Sequence, residues 1–243
     1  MMVRGPSGAI SSACRWKEAN KVLNRVLKAW RMLKRHAAAR GAEKNLPVKA
    51  QTHCGMMMQA IKTSRLFLRP FTPADVDEIH QLWSAPGVRK YLWDDEIIPK
   101  ETAQEVVAKS IELFNEKGLG LWAVTFHKQS TIIGFCGYWY FHEPPELEIL
   151  YGIAPEYWGN NLATEAAGAM LQYGFQYLGF DEISASADAP NAASFRVMEK
   201  TGMKFLKRES KNGWDTIFYA ISKNDFRVDE SVQIIAPEAD KQK

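Results

Sequence analysis

The sequence predicts an α/β (α+β) fold, in which helices cover the faces of a mixed sheet. Some segments alternate apolar and polar residues, as strands do, and others repeat apolar residues at helical spacing. Along the chain these segments follow the order β-α-α-β-β-β-α-β-α-β-β. The chain has 243 residues, of which 46% are hydrophobic and 12% aromatic. This composition supports one domain of about 150–180 residues with its own core, plus an extension.

The first half of this order begins with an alternating strand at residues 65–70 that ends in proline. Thr72, a preferred N-cap residue, then precedes a helix predicted over residues 73–83. We expect a loop over residues 84–99. A longer helix is predicted over residues 100–117, where a glycine ends it.

The second half contains more strands than helices. The predicted strands cover residues 121–126, 131–141, 146–153, 182–187, 203–209 and 214–221, and the predicted helices cover residues 163–178 and 192–201. An Asn-Gly pair at residues 212–213 predicts a tight turn between the last two strands.

Charge divides the chain into a basic head and an acidic body. Residues 1–62 contain 13 Lys and Arg against 2 acidic residues, whereas residues 63–243 contain 18 against 26. We interpret residues 1–62 as an extension made of a basic amphipathic helix and a linker. Residues 63–223 form the predicted domain, and residues 224–243 a loosely ordered tail.

The basic head has several interpretations. It suits an anionic partner, such as RNA, a ribosome or a membrane surface, and it has the composition of an organelle transit peptide. The alternative is a solvated or disordered extension, or a start assigned too far upstream. The sequence contains no run of 18 apolar residues, so no transmembrane helix is predicted. Three cysteines without a C-x-x-C pair indicate a reducing, cytoplasmic compartment, and no residue cluster has the spacing of metal ligands.

A strand, a polar loop and an Ala-rich helix meet at residues 158–166, which read WGNNLATEA. The first N–H groups of a helix lack partners inside the helix, and the helix dipole places about +0.5 charge beside them. Small residues flank this joint, so a ligand can approach the main chain closely. The joint therefore predicts a site for a phosphate-bearing ligand.

Two segments resemble one protein family. Residues 148–166, EILYGIAPEYWGNNLATEA, are similar to the segment that binds the acyl-CoA pyrophosphate in GNAT-superfamily N-acetyltransferases of the RimJ/RimL-like branch. Residues 191–203, NAASFRVMEKTGM, are similar to the second CoA segment of that branch. The resemblance covers residues 64–223 and implies an acyl-CoA N-acyltransferase (GNAT) fold with a mixed, mostly antiparallel central sheet flanked by helices. It also implies acetyl-CoA as co-substrate, a small-molecule amine or a protein N-terminus as acceptor, and a monomer or homodimer.

The resemblance further implies which residues hold coenzyme A. A cradle of backbone N–H groups is expected from Trp158, Gly159, Asn160, Asn161, Leu162, Ala163 and Thr164. A backbone N–H near Ile153 would hold the thioester carbonyl. Asn191 would bond the pantetheine arm, or serve as the N-cap of its helix. Core packing is the alternative role for the side chain of Trp158 and that of its neighbour Tyr157.

The chain departs from the family pattern at two cradle positions. Asn161 stands where the family usually has a second glycine, and Asn160 stands where it often has a basic residue. Because asparagine tolerates positive φ better than other non-glycine residues, we expect the loop to keep its shape. The loss of a basic residue predicts weaker binding of coenzyme A.

Acetyl transfer to an amine needs a base for the amine and a proton for the departing thiolate. Glu148, which matches an acidic position of the family, is the candidate base. The alternatives are that Glu148 faces solvent, or that Glu146, on the same strand face, takes this role. Ser194 is the candidate donor to the thiolate, and its alternative is a small residue in the first turn of a helix. In many members of the family a tyrosine serves as the general acid at the position that Met198 occupies here.

Trp93 and Trp139 are candidate substrate-binding residues. Each lies near acidic residues in the sequence, and an aromatic and acidic lining suits a cationic amine. The alternative is that both indoles pack in the core. His142 is expected at the surface rather than as a base.

Two functions from different classes follow. The first is a GNAT N-acetyltransferase (a transferase of the acyltransferase class) in which the amine attacks acetyl-CoA directly with the help of a general base. The second is a non-catalytic acyl-CoA-binding or regulatory protein, whose basic head docks on RNA, a ribosome or a membrane. Glu148, Asn191 and Ser194 favour the enzyme, whereas Asn161 and Met198 favour the binding protein.

Overall fold

The computed structural model describes residues 60–142, 145–211 and 214–235. The predicted basic helix, most of the predicted linker and the predicted Asn-Gly turn lie outside the described residues. Within them, strands and helices alternate along the chain in nearly the predicted order.

The described residues form a nine-stranded sheet with the order β7-β8-β6-β5-β4-β3-β2-β1-β9. The strands are β1 (Ala60–Lys62), β2 (Leu66–Pro70), β3 (Gly120–Phe126), β4 (Gly134–Phe141), β5 (Glu146–Ile153), β6 (Glu182–Asp188), β7 (Lys204–Lys211), β8 (Trp214–Ser222) and β9 (Gln233–Ile235). All neighbouring pairs are antiparallel except β5 and β6, which are parallel. This arrangement confirms the predicted mixed, mostly antiparallel sheet.

Five α-helices accompany the sheet within the described residues. They are α1 (Val76–Ser84), α2 (Pro86–Leu92), α3 (Lys100–Lys117), α4 (Leu162–Tyr173) and α5 (Ala192–Lys200). A π-helical segment, Gly174–Leu178, continues α4, so the helix predicted over residues 163–178 is present in two parts. None of the helices within the described residues has the length and apolar composition that crossing a membrane requires.

The helix α2 lies inside the segment that the sequence predicts as a loop. It has seven residues, it begins at a proline, and Val88 is its one buried residue. A helix this short contains too few turns for apolar residues to repeat at helical spacing, so the sequence pattern does not predict it. Packing against the neighbouring helix and the sheet stabilises it instead.

The folded domain extends beyond the predicted limits of residues 63–223. Strand β1 pairs with β2 and with β9, which lies in the segment predicted as a loosely ordered tail. The ring of Phe226 packs 5.1 Å from that of Phe175, and the Asp229 N–H donates to Gln172 at 3.0 Å. Three-residue strands carry no measurable alternation, so only their long-range pairing reveals them.

Helices cover both faces of the sheet. On one face, Trp83 of α1 packs edge-on against Phe135 of β4, with ring centroids 5.8 Å apart. On the other face, the hydroxyl of Tyr138 in the same strand donates to the Met170 carbonyl of α4 at 2.8 Å. Because side chains alternate along a strand, these two contacts define the two faces.

A buried ion pair joins β2 to the start of α1. Arg69 donates to both carboxylate oxygens of Asp75 at 2.7 Å, and the Thr72 N–H donates to the same carboxylate at 2.7 Å. Burial alone raises the pKa of Asp75, but these donors outweigh burial and lower it. The stability that the carboxylate contributes is therefore present above the ordinary Asp pKa and is lost as the pH falls through the lowered folded value.

We expect Asp75→Asn to lower the free energy of unfolding by about 2–3 kcal/mol at pH 7, because the Arg69 guanidinium loses its paired charge. Urea unfolding should show the wild type and the variant converging in stability as the pH falls through the folded pKa of Asp75. Asp215→Asn is the matched control, since Asp215 pairs with Arg208 in solvent. It should change stability little. Equal losses in both variants would contradict the prediction.

Candidate functional site

The parallel strands β5 and β6 separate at their carboxyl ends. Among the described residues they pair in register at Glu148 and Ser184 alone, although β5 continues to Ile153 and β6 to Asp188. A groove of about 670 Å³ opens at this end and extends to residues of α2, α4 and α5. The separation implied by the family resemblance is therefore present, at the point where β5 leads into the loop before α4.

The loop before α4 has the backbone shape that the sequence predicts. Gly159 has a φ of 80°, and Asn161 has a φ of 59° and a ψ of 17°, in the left-handed region. Asparagine thus adopts a conformation that usually requires glycine, because its short polar side chain tolerates positive φ. A Cβ placed on Gly159 would meet no atom within 4 Å, so this corner is open to a ligand.

The amino end of α4 presents N–H groups to the groove. The Glu165 N–H donates to the Asn161 carbonyl at 3.0 Å and closes the first turn of the helix. The N–H groups of Leu162, Ala163 and Thr164 precede this bond and have no partner within the helix. All three residues line the groove. Because the helix dipole also favours negative charge here, the amino end suits a phosphate.

Two members of the predicted cradle have other roles. The side-chain amide of Asn160 donates to the carbonyls of Tyr157 and Trp158, at 3.1 Å each, and Asn160 is not among the residues that line the groove. The backbone N–H of Trp158 donates to the Pro155 carbonyl at 3.1 Å. Of the predicted N–H donors, that of Trp158 is therefore already paired, and Asn160 lies outside the lining of the groove.

The indole of Trp158 forms a wall of the groove. It is 54% exposed, and its Nε1 donates to the Ile153 carbonyl at 2.6 Å. A Cβ on Gly87 of α2 would lie 2.5 Å from this ring, which shows how closely the two approach. The core-packing alternative is therefore wrong for Trp158. The ring of Tyr157, by contrast, packs against that of Phe126, with centroids 5.5 Å apart.

Basic side chains from other elements supply the charge that Asn160 lacks. Lys200 donates from Nζ to the Asn161 Oδ1 at 2.7 Å, and Arg196 and Lys90 also line the groove. None of these three residues is predicted as part of the site from the sequence. A signal was available, because Arg196 and Lys200 are four apart in a predicted helix and so share one face.

The carboxylate of Glu165 lies in the first turn of α4, beside the cradle. It accepts hydrogen bonds from Thr63 Oγ1 at 2.5 Å and from Arg65 Nε at 2.7 Å. Arg65 also donates to the Asn160 carbonyl at 3.0 Å, which ties the loop to the sheet. Burial alone raises the pKa of Glu165, but these donors outweigh burial and lower it. The carboxylate is therefore ionised and paired, which reduces its repulsion of a phosphate.

Asn191, Ser194 and Tyr151 meet at the start of α5, and all three line the groove. The Asn191 Oδ1 accepts the Ser194 N–H at 3.2 Å, so the N-cap role is present. The hydroxyl of Tyr151 lies 2.9 Å from the Ser194 Oγ and donates to the Ser194 carbonyl at 3.0 Å. Burial raises the pKa of Tyr151, so its hydroxyl stays protonated. Met198 is buried in the core.

The carboxylate of Glu148 is buried and does not face solvent. Glu148 is 2% exposed, and its two oxygens accept hydrogen bonds from His142 Nε2 at 2.8 Å and Ser186 Oγ at 2.6 Å. The solvent-facing alternative is therefore wrong for Glu148, whereas Glu146 is exposed. His142 is at the surface, as expected, and its ring in addition bonds the carboxylate of the candidate base.

The two tryptophans expected to bind substrate lie in the core. Trp93 is 5% exposed and packs 5.6 Å from Trp83, and Trp139 is 3% exposed. Neither is among the residues that line the groove, so the core alternative describes them better. Tyr91, from the same segment as Trp93, does line the groove. Its hydroxyl donates to the Pro190 carbonyl at 3.3 Å.

Comparison with known proteins identifies the class. The protein-family model described as acetyltransferase (GNAT) domain matches residues 65–204 of the sequence. The chain therefore belongs to this family. It is 30% identical over 172 residues to YnaD, an uncharacterized N-acetyltransferase of Bacillus subtilis (strain 168), covering 68% of this chain and 98% of YnaD.

Solved structures agree with the family assignment. A GNAT acetyltransferase from Bacillus anthracis aligns with a TM-score of 0.59 at 28% identity, covering 68% of this chain and 99% of that one. RimL, a ribosomal L7/L12 α-N-protein acetyltransferase solved with coenzyme A, aligns with a TM-score of 0.56 at 18% identity, covering 66% and 95%. The protein is thus a GNAT-type N-acetyltransferase by fold and family.

Proposed function

We propose that the protein transfers the acetyl group of acetyl-CoA to a primary amine, by direct attack of the amine on the thioester. The observation that carries this proposal is the joint of β5, the left-handed loop and the amino end of α4, which opens onto a groove beside basic side chains. Such a joint is well suited to bind a phosphate, whereas a scaffold protein has no use for it. Family membership supports the same activity.

Coenzyme A would be held by three parts of the groove. N–H groups of Gly159 and of residues 161–164 would bind its pyrophosphate, with Lys200 and Arg196 adding positive charge. The pantetheine arm would lie between the separated strands, near Asn191. A backbone N–H near Ile153 would hold the thioester carbonyl, and such a donor lowers the barrier by about 2.7–4 kcal/mol when it is already in place.

The chemistry then divides between a base and an acid. An α-amine with a pKa of about 8 is neutral in roughly a tenth of molecules at pH 7, whereas an alkyl amine is almost fully protonated and needs a positioned base. The charge of Glu148 supports proton removal from the amine. Tyr151 and Ser194 lie on the CoA side of the groove and would return a proton to the departing thiolate.

The acceptor belongs, in our proposal, to the RimJ/RimL-like range of protein N-termini and small amines. The acidic balance of residues 63–243 favours a cationic acceptor. We also propose a cytoplasmic protein that acts as a monomer or homodimer. Its basic residues 1–62 would contact an anionic partner such as RNA, a ribosome or a membrane surface.

Calorimetry and an amine panel test the proposal. Acetyl-CoA should bind in the micromolar range, and acetyl-pantetheine, which lacks the nucleotide and its phosphates, should bind much more weakly. Peptide N-termini and small alkyl amines should then release free thiol from acetyl-CoA. Tight binding without thiol release for any amine would support the non-catalytic alternative, and equal binding of both thioesters would exclude the phosphate cradle.

A further inference from the structure

Three strands bring a histidine, a carboxylate and a serine together on the face of the sheet opposite α4. His142 follows the end of β4, Glu148 lies in β5, and Ser186 lies in β6. The His142 Nε2 is 2.8 Å from Glu148 Oε1 and 3.3 Å from Ser186 Oγ, while Ser186 donates to Glu148 Oε2 at 2.6 Å. Ser186 lies two residues beyond the pairing of β5 with β6, so the cluster stands where the two strands separate. None of its three residues lines the groove, whose lining includes Tyr151 on the other face of β5.

Within this cluster the carboxylate is buried, whereas the imidazole and the Ser186 side chain are partly exposed, and of these two only the imidazole is a base near neutral pH. Both oxygens of Glu148 already accept hydrogen bonds, and its side chain is 2% exposed. The side chain of His142 is 31% exposed. A carboxylate in this position has no free edge towards an incoming amine, whereas the imidazole can present one.

The hydrogen bonds determine which ring nitrogen is free. A carboxylate only accepts, so the His142 Nε2 must carry a hydrogen to donate to Glu148. The other nitrogen, Nδ1, then bears a lone pair when the ring is neutral, and it has no hydrogen-bond partner within the described part of the chain. A carboxylate that orients a histidine and stabilises its charged form is the arrangement of a base and its orienting partner.

We propose that His142 is the group that accepts the proton of the attacking amine, and that Glu148 is a positioning residue which acts through it. This inference rests on the proposed acetyl transfer. As the amine nitrogen forms its bond to the acetyl carbon, its N–H bond breaks and the proton passes to the His142 Nδ1. The C–S bond of the thioester breaks, and the coenzyme A thiolate leaves and is protonated separately. The imidazolium then returns its proton to solvent.

The surroundings of His142 suit this role. Burial lowers the pKa of His142, but the hydrogen bond and charge of Glu148, with the charge of Glu146, outweigh burial and the opposing charge of Lys207, so the pKa is raised. The ring packs 5.1 Å from Phe218. A more basic imidazole is a stronger proton acceptor for an amine.

The pairing can be tested without turnover. Histidine-labelled full-length protein, titrated by NMR, should show the pKa of His142 falling when Glu148 is changed to Gln. The signals of His80 and His127 are internal controls, because their ring nitrogens face backbone carbonyls, and they should not move. An unchanged His142 titration would overturn the pairing, whether or not an acceptor amine has been found.

Kinetics then separate His142 from Glu148 as the base. His142→Gln should lower kcat about 100-fold and remove the acidic limb of the pH–rate profile, with the acetyl-CoA Kd unchanged. Glu148→Gln should lower kcat and move this limb to lower pH, because the histidine remains but is less basic. If His142→Gln keeps the limb and Glu148→Gln abolishes it, Glu148 itself is the base and the inference is wrong.

A second variant controls for structural damage at His142. This residue has a φ of 65°, so His142→Gly keeps the backbone unstrained while it removes the ring. Added imidazole should restore turnover in His142→Gly at least tenfold, and it should not restore Glu148→Gln. Failure of imidazole to rescue a folded His142→Gly that binds acetyl-CoA normally would contradict the inference. A wild-type protein that acetylates no amine would instead reject the proposed function.

Discussion

Gly159→Val should weaken acetyl-CoA binding at least about 100-fold, which corresponds to roughly 2.7 kcal/mol. Two effects cause this loss. The φ of 80° at Gly159 is a conformation that a β-branched residue adopts only with strain. The new side chain would also project into space that no protein atom fills, at the corner where the pyrophosphate is expected. Isothermal titration with acetyl-CoA measures the loss.

Gly179→Val separates these two effects. Gly179 has a φ of 72°, and a Cβ there would likewise meet no atom within 4 Å, but it lies beyond the π-helical segment that follows α4. Both variants should therefore lose similar stability in thermal unfolding, whereas Gly179→Val should keep its acetyl-CoA affinity within about twofold. Unchanged affinity in Gly159→Val would reject the loop as the pyrophosphate site. Equal losses of affinity would assign the effect to strain alone.

The loop before α4 and the start of that helix are predicted well from the sequence, because local chemistry determines them. Glycine and asparagine specify the left-handed loop, and the helix signal after them specifies where the N–H groups lie. The strand β5 and the helix α3 have the predicted limits for the same reason, since each has a long pattern and a clear end.

Contacts between distant segments are the part that local patterns do not reveal. Lys200 reaches Asn161 from another helix, and the short strands β1 and β9 are defined by pairing across the whole domain. The surface position of His142 agrees with the prediction, but its contact with Glu148 is not predicted. The left-handed φ of His142 and the position of β6 bring its ring to Glu148. The spacing of apolar residues along the sequence predicts neither of them.

The role of Tyr151 as an acid is not predicted from the sequence either, because its position relative to Ser194 depends on how α5 packs over β5. Its hydroxyl lies 2.9 Å from the Ser194 Oγ, inside the groove and on the sheet face opposite Glu148. An acid and a base on opposite faces can act on opposite sides of a thioester held between the strands. Since Met198 cannot donate a proton, we infer that Tyr151 donates to the coenzyme A thiolate.

Tyr151→Phe should therefore lower kcat about 100-fold while the acetyl-CoA Kd stays within about threefold, because the hydroxyl acts on the leaving group rather than on binding. Ser194→Ala should have a smaller effect, since Tyr151 keeps its bond to the Ser194 carbonyl. Thiol release at saturating amine measures both.

Tyr138→Phe is the matched control, because its buried hydroxyl also donates to a backbone carbonyl, that of Met170 at 2.8 Å. Each tyrosine variant should lose about 1 kcal/mol of stability, but Tyr138→Phe should retain kcat. A wild-type kcat in Tyr151→Phe together with a large loss in Ser194→Ala would transfer the acid role to the serine. Large losses of kcat in both tyrosine variants would mean that packing of the sheet, rather than proton donation, limits the reaction.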